Sequence, residues 1–379
     1  MPPSNQAAWM STKKTRPFKI TNAPYTPPGP NQVVIKNTAV AINPFDWVLQ
    51  FIGPILASYL SYPCILGTDV AGYVVEVGKD VKRFKIGDRV FGSAAGIDKN
   101  VNNAAEGGFQ LYTVMREYMI SSTPSHITDE QACVLGLGVG TAAYGLFHPK
   151  YLGLEMPSIT SETESVEQGK RVVIVTGGSS SVGSNAIQLA VLAGYRVIST
   201  SSPKNFEYVK KLGASHVFDY NSQMIVRDML DVLDGFQLVG AYVIGKGAVE
   251  ICTEVMMRHD AKSTRKRIAL AGAIIPAEQL VSCWGQVSFV ISMVGDLIKS
   301  SIRQRRTGIE AKFIMLDDLV DSESVVAQVY QNYLPSALEA RRFVPAPPPQ
   351  VVGHGLEKIQ EALEIQRLGV SGRKLVVTL

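Results

Sequence analysis

The feature that most constrains this chain is a strand–turn–helix–strand unit that starts at Arg171. Arg171–Thr176 is a continuous run of β-branched and apolar residues, the pattern of a strand buried on both faces. It enters the turn Gly177-Gly178-Ser179-Ser180-Ser181-Val182-Gly183, and Ser184–Ala193 then reads as a helix. Tyr195–Thr200 is a second buried strand, Asn205–Leu212 a helix stopped by Gly213, and His216–Phe218 a third strand. Strands alternating with helices at this pace predict a doubly wound parallel sheet. Further strands are expected at Gly240–Ile244, Arg267–Leu270 and Lys312–Met315.

The turn itself points to a ligand. Glycine is needed where a backbone bends sharply or must approach a bound group closely. The unpaired amides of the following helix, with its dipole, favour phosphate there. The spacing is Gly-Gly-x-x-x-x-Gly rather than Gly-x-Gly-x-x-Gly, so the inference rests on the βαβ context more than on the motif. An ordinary Gly/Ser loop is the plainer alternative, and the context outweighs it.

The end of the second strand selects the dinucleotide. NAD sites usually place Asp or Glu there to hold the ribose hydroxyls. This chain reads Ser199-Thr200-Ser201-Ser202-Pro203-Lys204, with no carboxylate. The hydroxyls of Thr200, Ser201 and Ser202 can donate to a 2′-phosphate, Lys204 can neutralise it, and Tyr220 is a further donor. NADPH is the predicted cofactor.

Before Glu130 the texture differs. Gln32–Ala41, Ala71–Val77 and Arg89–Gly92 are short β-rich runs between turns, as in a compact barrel-like unit. Gln131–Phe147 reads as a helix despite Gly136, Gly138 and Gly140, and Glu155–Gly169 as an exposed polar loop. Towards the end, Leu334–Arg341 and Gly355–Leu368 are helical, Pro345–Pro349 is extended, and Lys374–Leu379 is a closing strand. A length of 379 residues suits two domains, and 46% hydrophobic residues supply a large core. A net charge of +4 gives no reason to expect nucleic acid. Met1–Lys14 lacks the apolar core of a signal peptide, and the runs Val134–Phe147 and Val287–Val294 fall short of the roughly 20 residues that cross a bilayer. The chain is expected to be soluble and cytoplasmic, away from membranes. Cys64, Cys133, Cys252 and Cys283 are scattered and read as buried thiols in a reducing compartment.

Taken in order, the remaining motifs resemble those of the quinone-reductase-like medium-chain dehydrogenases/reductases. They are Asn43-Pro44-Phe45-Asp46-Trp47, Gly67-Thr68-Asp69-Val70-Ala71-Gly72 with Val77-Gly78, Gly87-Asp88-Arg89-Val90-Phe91-Gly92, and Thr141-Ala142. Leu334–Pro345 and Gly355–Leu379 are similar to the fungal branch that includes trans-acting enoyl reductases of polyketide pathways. The resemblance covers almost the whole chain.

It implies an α/β architecture in which a Rossmann domain, residues 136–325, is inserted into a GroES-like β-rich catalytic domain formed by 1–135 and 326–379. The active-site cleft would lie at their junction. By the same resemblance, Asn43, Asp46 and Trp47 lie near the nicotinamide. Pro44, Ile244, Leu270-Ala271-Gly272 and Val370-Ser371 become cofactor-binding positions. Tyr59, Tyr62, Thr141 and Tyr144 are hydroxyl donors for substrate, although packing is the plainer role for any one tyrosine.

Zinc-dependent relatives use Cys, His and a third Cys or carboxylate as ligands. Here Asn43 stands in the place of the first cysteine and Thr68 in that of the histidine. Ser93–Gly108 has no cysteine, and His126, His148, His216, His259 and His354 are isolated. No metal site is expected. The implied activity is NADPH-dependent reduction of an activated C=C bond in a polyketide-type secondary metabolite. Quinone or small-enone reduction is one alternative; a cofactor-binding member that catalyses rearrangement or cyclisation is another. The chain departs from its relatives at Val48, where many have lysine, and at Tyr242-Val243-Ile244-Gly245, where many have Tyr-Asp-x-x-Gly. The expected partners are a small-molecule or carrier-bound acyl substrate and a polyketide synthase acting in trans, with monomer and homodimer both open. Two basic clusters, Arg303/Arg305/Arg306 and Lys262/Arg265/Lys266/Arg267, are candidate docking surfaces or simply solvated loops.

Overall fold

The computed structural model describes residues 3–13, 15–157, 170–259, 266–272 and 282–379. The chain forms two compact units, Met1–Gly140 with Asp318–Leu379, and Thr141–Asp317. Unit 1 begins with β1 (Asn5–Met10), β2 (Lys19–Ala23), β3 (Gln32–Ala41) and helix α1 (Pro44–Leu56). It continues through β4 (Cys64–Ile65), β5 (Asp69–Val77), β6 (Arg89–Ser93), β7 (Tyr112–Arg116) and β8 (Ile120–Ser122). The short α2 (Asp129–Ala132) then leads to α3 (Gly136–Phe147).

Unit 2 carries β9 (Arg171–Val175), α4 (Ser181–Leu192), β10 (Arg196–Ser201), α5 (Phe206–Lys211) and β11 (His216–Asp219). After these come α6 (Ile225–Leu233), β12 (Gln237–Val243), α7 (Ala248–Arg258), β13 (Arg267–Leu270), α8 (Cys283–Thr307) and β14 (Glu310–Phe313). The return to unit 1 supplies α9 (Val325–Gln328), α10 (Leu334–Glu339), β15 (Pro349–His354), α11 (Lys358–Leu368) and β16 (Lys374–Thr378).

In unit 2 the strands form one parallel sheet in the order β11-β10-β9-β12-β13-β14. Its central strands are buried on both faces, which is why they read as unbroken apolar runs. Helix α6 packs on it through Ile225, Met229 and Leu233, spaced four residues apart so that they share one face. Unit 1 holds a seven-stranded sheet, β15-β16-β3-β5-β6-β8 with β7 on β3, and a three-stranded sheet, β2-β1-β4. The last strand, β16, lies antiparallel to β3, so the two ends of the chain build one sheet.

The expected helix Gln131–Phe147 is broken. Cys133–Leu135 is a 3₁₀ turn, and Gly136 (φ −32°, ψ −112°) interrupts the helical torsions before α3 resumes. The units also divide at 140/141 and 317/318 rather than at 135/136 and 325/326. The start of α3 is held to unit 1, where Leu137 N donates to Asp69 Oδ1 (2.6 Å) and Tyr330 OH to Gly136 O (2.6 Å). The stretch after Asp317 is likewise tied to unit 1 by Tyr118 OH, which donates to Val320 O (2.6 Å). Of the expected polar loop Glu155–Gly169, residues 158–169 lie outside the described residues.

The thiols of Cys64, Cys133 and Cys252 are free and buried, and burial pushes Cys64 and Cys252 up to about 12. No helix among the described residues is long and apolar enough to cross a membrane.

Candidate functional site

Unit 2 presents a glycine-containing turn at the C-terminal ends of its strands. The sheet order reverses between β9 and β12, and at such a point crossovers leave in opposite directions and open a crevice. Gly177 sits there with φ +62°, a conformation that glycine adopts without strain. Thr176 Oγ1 clamps the strand end, donating to Ile244 O and accepting from Ile244 N, both at 2.8 Å. The Gly177 amide donates to Thr200 Oγ1 (3.2 Å) and the Gly178 amide to Thr200 O (2.9 Å). Ser180 caps α4 by accepting from Gly183 N at 3.1 Å. Ser184 Oγ donates to Gly178 O (3.0 Å) and meets Tyr208 OH (2.9 Å).

Into this frame opens the first turn of α4, whose leading amides have no intrahelical acceptor. The Ser181 hydroxyl there is buried without a partner. An orphan hydroxyl beside unpaired amides at a positive helix end fits a dinucleotide pyrophosphate.

At the end of β10, Ser201 is 1% exposed and its hydroxyl donates to Ser202 O, while Thr200 Oγ1 accepts from the Gly177 amide. Both side chains brace the loop. What remains outside is Ser202, the exposed Lys204 and the half-exposed Tyr220. Asn205, absent from the expected set, joins them: its Nδ2 donates to Ser179 Oγ and Ser202 Oγ, each at 3.1 Å. The available signal was a polar residue opening α5 directly after Lys204. Ile244, Leu270, Ala271 and Gly272 fall at the C-terminal ends of β12 and β13, on the crevice side of the sheet.

Unit 1 contains a buried polar ring. Lys374, the first residue of β16 and 3% exposed, pairs with Asp69 Oδ2 (2.9 Å) and donates to Asn43 Oδ1 (2.5 Å). Asn43 Nδ2 donates to Thr68 Oγ1 (2.9 Å), and Thr68 donates to Asp69 Oδ1 (3.3 Å). Asn43, Thr68 and Asp69 are all at most 5% exposed. Asn43 and Thr68 thus bond to each other, and Asn43 also to a lysine. Lys374 was not foreseen. Among the described residues, no cluster of three or more His, Cys, Asp or Glu side chains is placed to hold a metal ion.

The other expected catalytic residues scatter. Asp46 is fully buried and caps α1, accepting from Asn43 N at 2.7 Å. Trp47 packs edge-on to Phe51, and Val48 is fully buried beside them in α1. Tyr59 OH donates to Ile97 O (2.9 Å), whereas the Tyr62 hydroxyl is buried without a partner. Tyr144 is 1% exposed and stacks on His148 and Tyr151, a packing position. The Thr141 carbonyl accepts from Tyr242 OH (3.0 Å). Pro44 opens α1 at an exposed position, and Val370 and Ser371 lie in the turn before β16.

Of the basic clusters, Arg303 is paired with Glu250 (2.8 Å), and Arg267 donates to the carbonyls of Pro149 and Tyr151. Lys262 and Arg265 lie outside the described residues. Only part of each cluster is left for docking.

Asp46 makes stability depend on pH. Burial raises its carboxyl to about 7; the Asn43 amide opposes the rise, and the charge of Asp69 adds to it. An acid with a higher pKa folded than unfolded takes up a proton on folding, so its contribution is greatest at low pH and falls from about pH 4 to about pH 7. Between pH 5 and pH 8 this group is expected to cost about 2.6 kcal/mol of stability. Asp46→Asn should remove that loss. Urea midpoints at the two pH values check this, and equal pH slopes in wild type and variant would refute it.

Comparison with known proteins agrees with this architecture. Residues 29–125 match the alcohol dehydrogenase GroES-like domain, and residues 181–259 match the zinc-binding dehydrogenase family. Dehydrogenase pigH of Monascus ruber is 45% identical over 380 residues, covering all of both chains. Trans-enoyl reductase himH of Aspergillus japonicus is 36% identical, covering 98% of this chain and 97% of its own. Among solved structures, the CurK enoyl reductase superposes with a TM-score of 0.69 at 18% identity, covering 99% of each chain. The quinone oxidoreductase of Coxiella burnetii does so with a TM-score of 0.62 at 21% identity, also covering 99% of each. The chain belongs to the medium-chain dehydrogenase/reductase superfamily, an oxidoreductase family that uses a nicotinamide cofactor, and has fungal dehydrogenases and trans-enoyl reductases as full-length relatives.

Proposed function

We propose that this protein is an NADPH-dependent, zinc-independent reductase of an activated carbon–carbon double bond, acting on a polyketide-type acyl group in trans to its synthase. The observation that carries the cofactor reading is the end of β10, where Ser202, Lys204 and Asn205 stand and no carboxylate is present. A carboxylate would repel a 2′-phosphate; an exposed ammonium and hydroxyl attract it. The names of full-length relatives such as trans-enoyl reductase himH support the reaction class. Zinc independence is supported by the buried ring of unit 1. A divalent cation there would have to share the place with the Lys374 ammonium and would find neither thiolate nor imidazole.

When bound, the nicotinamide supplies a hydride to the β-carbon of the substrate. The chain's own residues must orient the enoyl group, exclude water and stabilise the negative charge that passes to the carbonyl oxygen. Of Tyr59 and Tyr62, Tyr62 has the hydroxyl that is buried without a partner, and it is the candidate for delivering a proton to the α-carbon.

The test has two arms. In fluorescence titrations NADPH should bind at least about 10-fold more tightly than NADH, and Ser202→Asp with Lys204→Ala should erase that preference. In turnover assays the enzyme should oxidise NADPH with α,β-unsaturated thioesters. Activity on quinones alone would move the reading to quinone reduction. Tight NADPH binding without oxidation by either substrate class would favour a non-reducing catalyst.

A further inference from the structure

We infer that Lys374 is a positioning residue that locks the Asn43 carboxamide in one orientation, with the second N–H of Asn43 presented to the carbonyl oxygen of the bound acyl substrate. This rests on the reductase reading above.

The direction of every bond in the ring follows from its two charged members. Lys374 has only donors and Asp69, as a carboxylate, has only acceptors. The oxygen of Asn43 must therefore face the ammonium, and its nitrogen must face Thr68. Thr68 accepts from Asn43 and so turns its own proton to Asp69. Flipping the Asn43 amide would aim an N–H at an ammonium, a repulsion at close range in a buried site.

Asn43 is the N-cap of α1 and shares a capping box with Asp46, whose carboxylate accepts from Asn43 N at 2.7 Å. Its side chain also meets the Lys374 ammonium through Oδ1 and Thr68 through Nδ2. A Lys374–Asp69 pair would hold β16 to β5 without Asn43, so a purely structural role does not explain why the asparagine is drawn into the ring. Nδ2 has two hydrogens and one acceptor, Thr68. The ammonium against Oδ1 polarises the amide and makes the remaining N–H a stronger donor to an oxygen that gains charge.

The experiment uses the full chain. Lys374→Met should lower kcat by about 100-fold, the size of one lost donor to a developing oxyanion, because the released amide can turn its oxygen to the substrate. KM for the thioester and Kd for NADPH should change less than about threefold, since the effect is confined to the transition state. Asn43→Ala should lose a similar factor, and the double variant should be no slower than Asn43→Ala alone. Lys374→Arg, which still only donates, should regain most of the rate.

If Lys374→Met does not fold, Lys374→Gln decides the matter. It can accept as well as donate, so it no longer imposes a direction and should also lower kcat. Multiplicative losses in the double variant, or full turnover in both neutral variants, would overturn the inference. A wild type that oxidises no NADPH would sink the functional reading instead. Asn43 itself is then read by its side-chain amide signals in ¹⁵N spectra. They should be a single slowly exchanging pair in wild type and fast-exchanging in Lys374→Gln, and unchanged signals would overturn the lock.

Discussion

Gly183→Ala should weaken dinucleotide binding by at least about 100-fold, or about 2.7 kcal/mol, while leaving the protein folded. A Cβ at this position would lie 2.3 Å from Gly177 O and 2.9 Å from Gly177 C, distances that real side chains do not show. The obstacle is backbone, so no side chain can swing aside. The first turn of α4 must move away from the turn that precedes it, and the Ser180 cap on Gly183 N moves with it. The cradle depends on the leading amides of α4 and on Ser181 all facing one small volume. A displacement of even half an ångström spoils several charge-assisted contacts together. Gly295→Ala, within α8 and with no atom inside 4 Å of its Cβ position, is the control and should bind like wild type. The measurement is an NADPH fluorescence titration beside a thermal melt. Wild-type affinity in a folded Gly183→Ala protein would remove the cradle from the argument.

That cradle was readable because its causes are local. Buried parallel strands impose continuous apolar runs, and Arg267–Leu270 in the parallel sheet, like Gln32–Ala41 in the antiparallel one, folds as a strand with the bounds its composition suggests. The turn at Gly177 is marked by the residue that its torsion requires. Other features had weaker local marks. Helix α1 contains Gly53 and Pro54, and at Ile52 its torsions leave the helical region, so its sequence resembles a loop as much as a helix. Within β10 the hydroxyls of Thr200 and Ser201 looked equivalent to that of Ser202, and only the folded loop brings them to Gly177 N and Ser202 O.

Lys374 illustrates the opposite limit. A lone lysine opening a closing strand reads as a solvent residue, because lysine is rarely buried without a partner. Its partner Asn43 is 331 residues away, and only the pairing of β16 with β3 brings them together. No local pattern carries that information.

The largest stability effect is expected at the other end of the same ring. Asp69 is fully buried, pairs with the Lys374 ammonium at 2.9 Å, and accepts from Leu137 N at 2.6 Å and Thr68 at 3.3 Å. Asp69→Leu strands the Lys374 ammonium in a pocket where it is 3% exposed and leaves the Leu137 amide of α3 without its acceptor. Removing one member of a buried pair costs about 3–5 kcal/mol, and an unpaired buried amide about 1 kcal/mol more. Against a total of about 5–15 kcal/mol that is a severe loss, visible as a large drop in the urea midpoint. Asp69→Asn, which keeps an acceptor but not the charge, should fall between. The decisive variant is Asp69→Leu with Lys374→Met. Most of the damage in the single variant comes from the orphaned charge rather than from the lost attraction, so removing that charge should recover more than half of the stability. A double variant as unstable as Asp69→Leu would mean that the ring holds the sheet by its hydrogen bonds to α3. A single variant within about 1 kcal/mol of wild type would mean that Lys374 reaches water by a route the native fold does not provide.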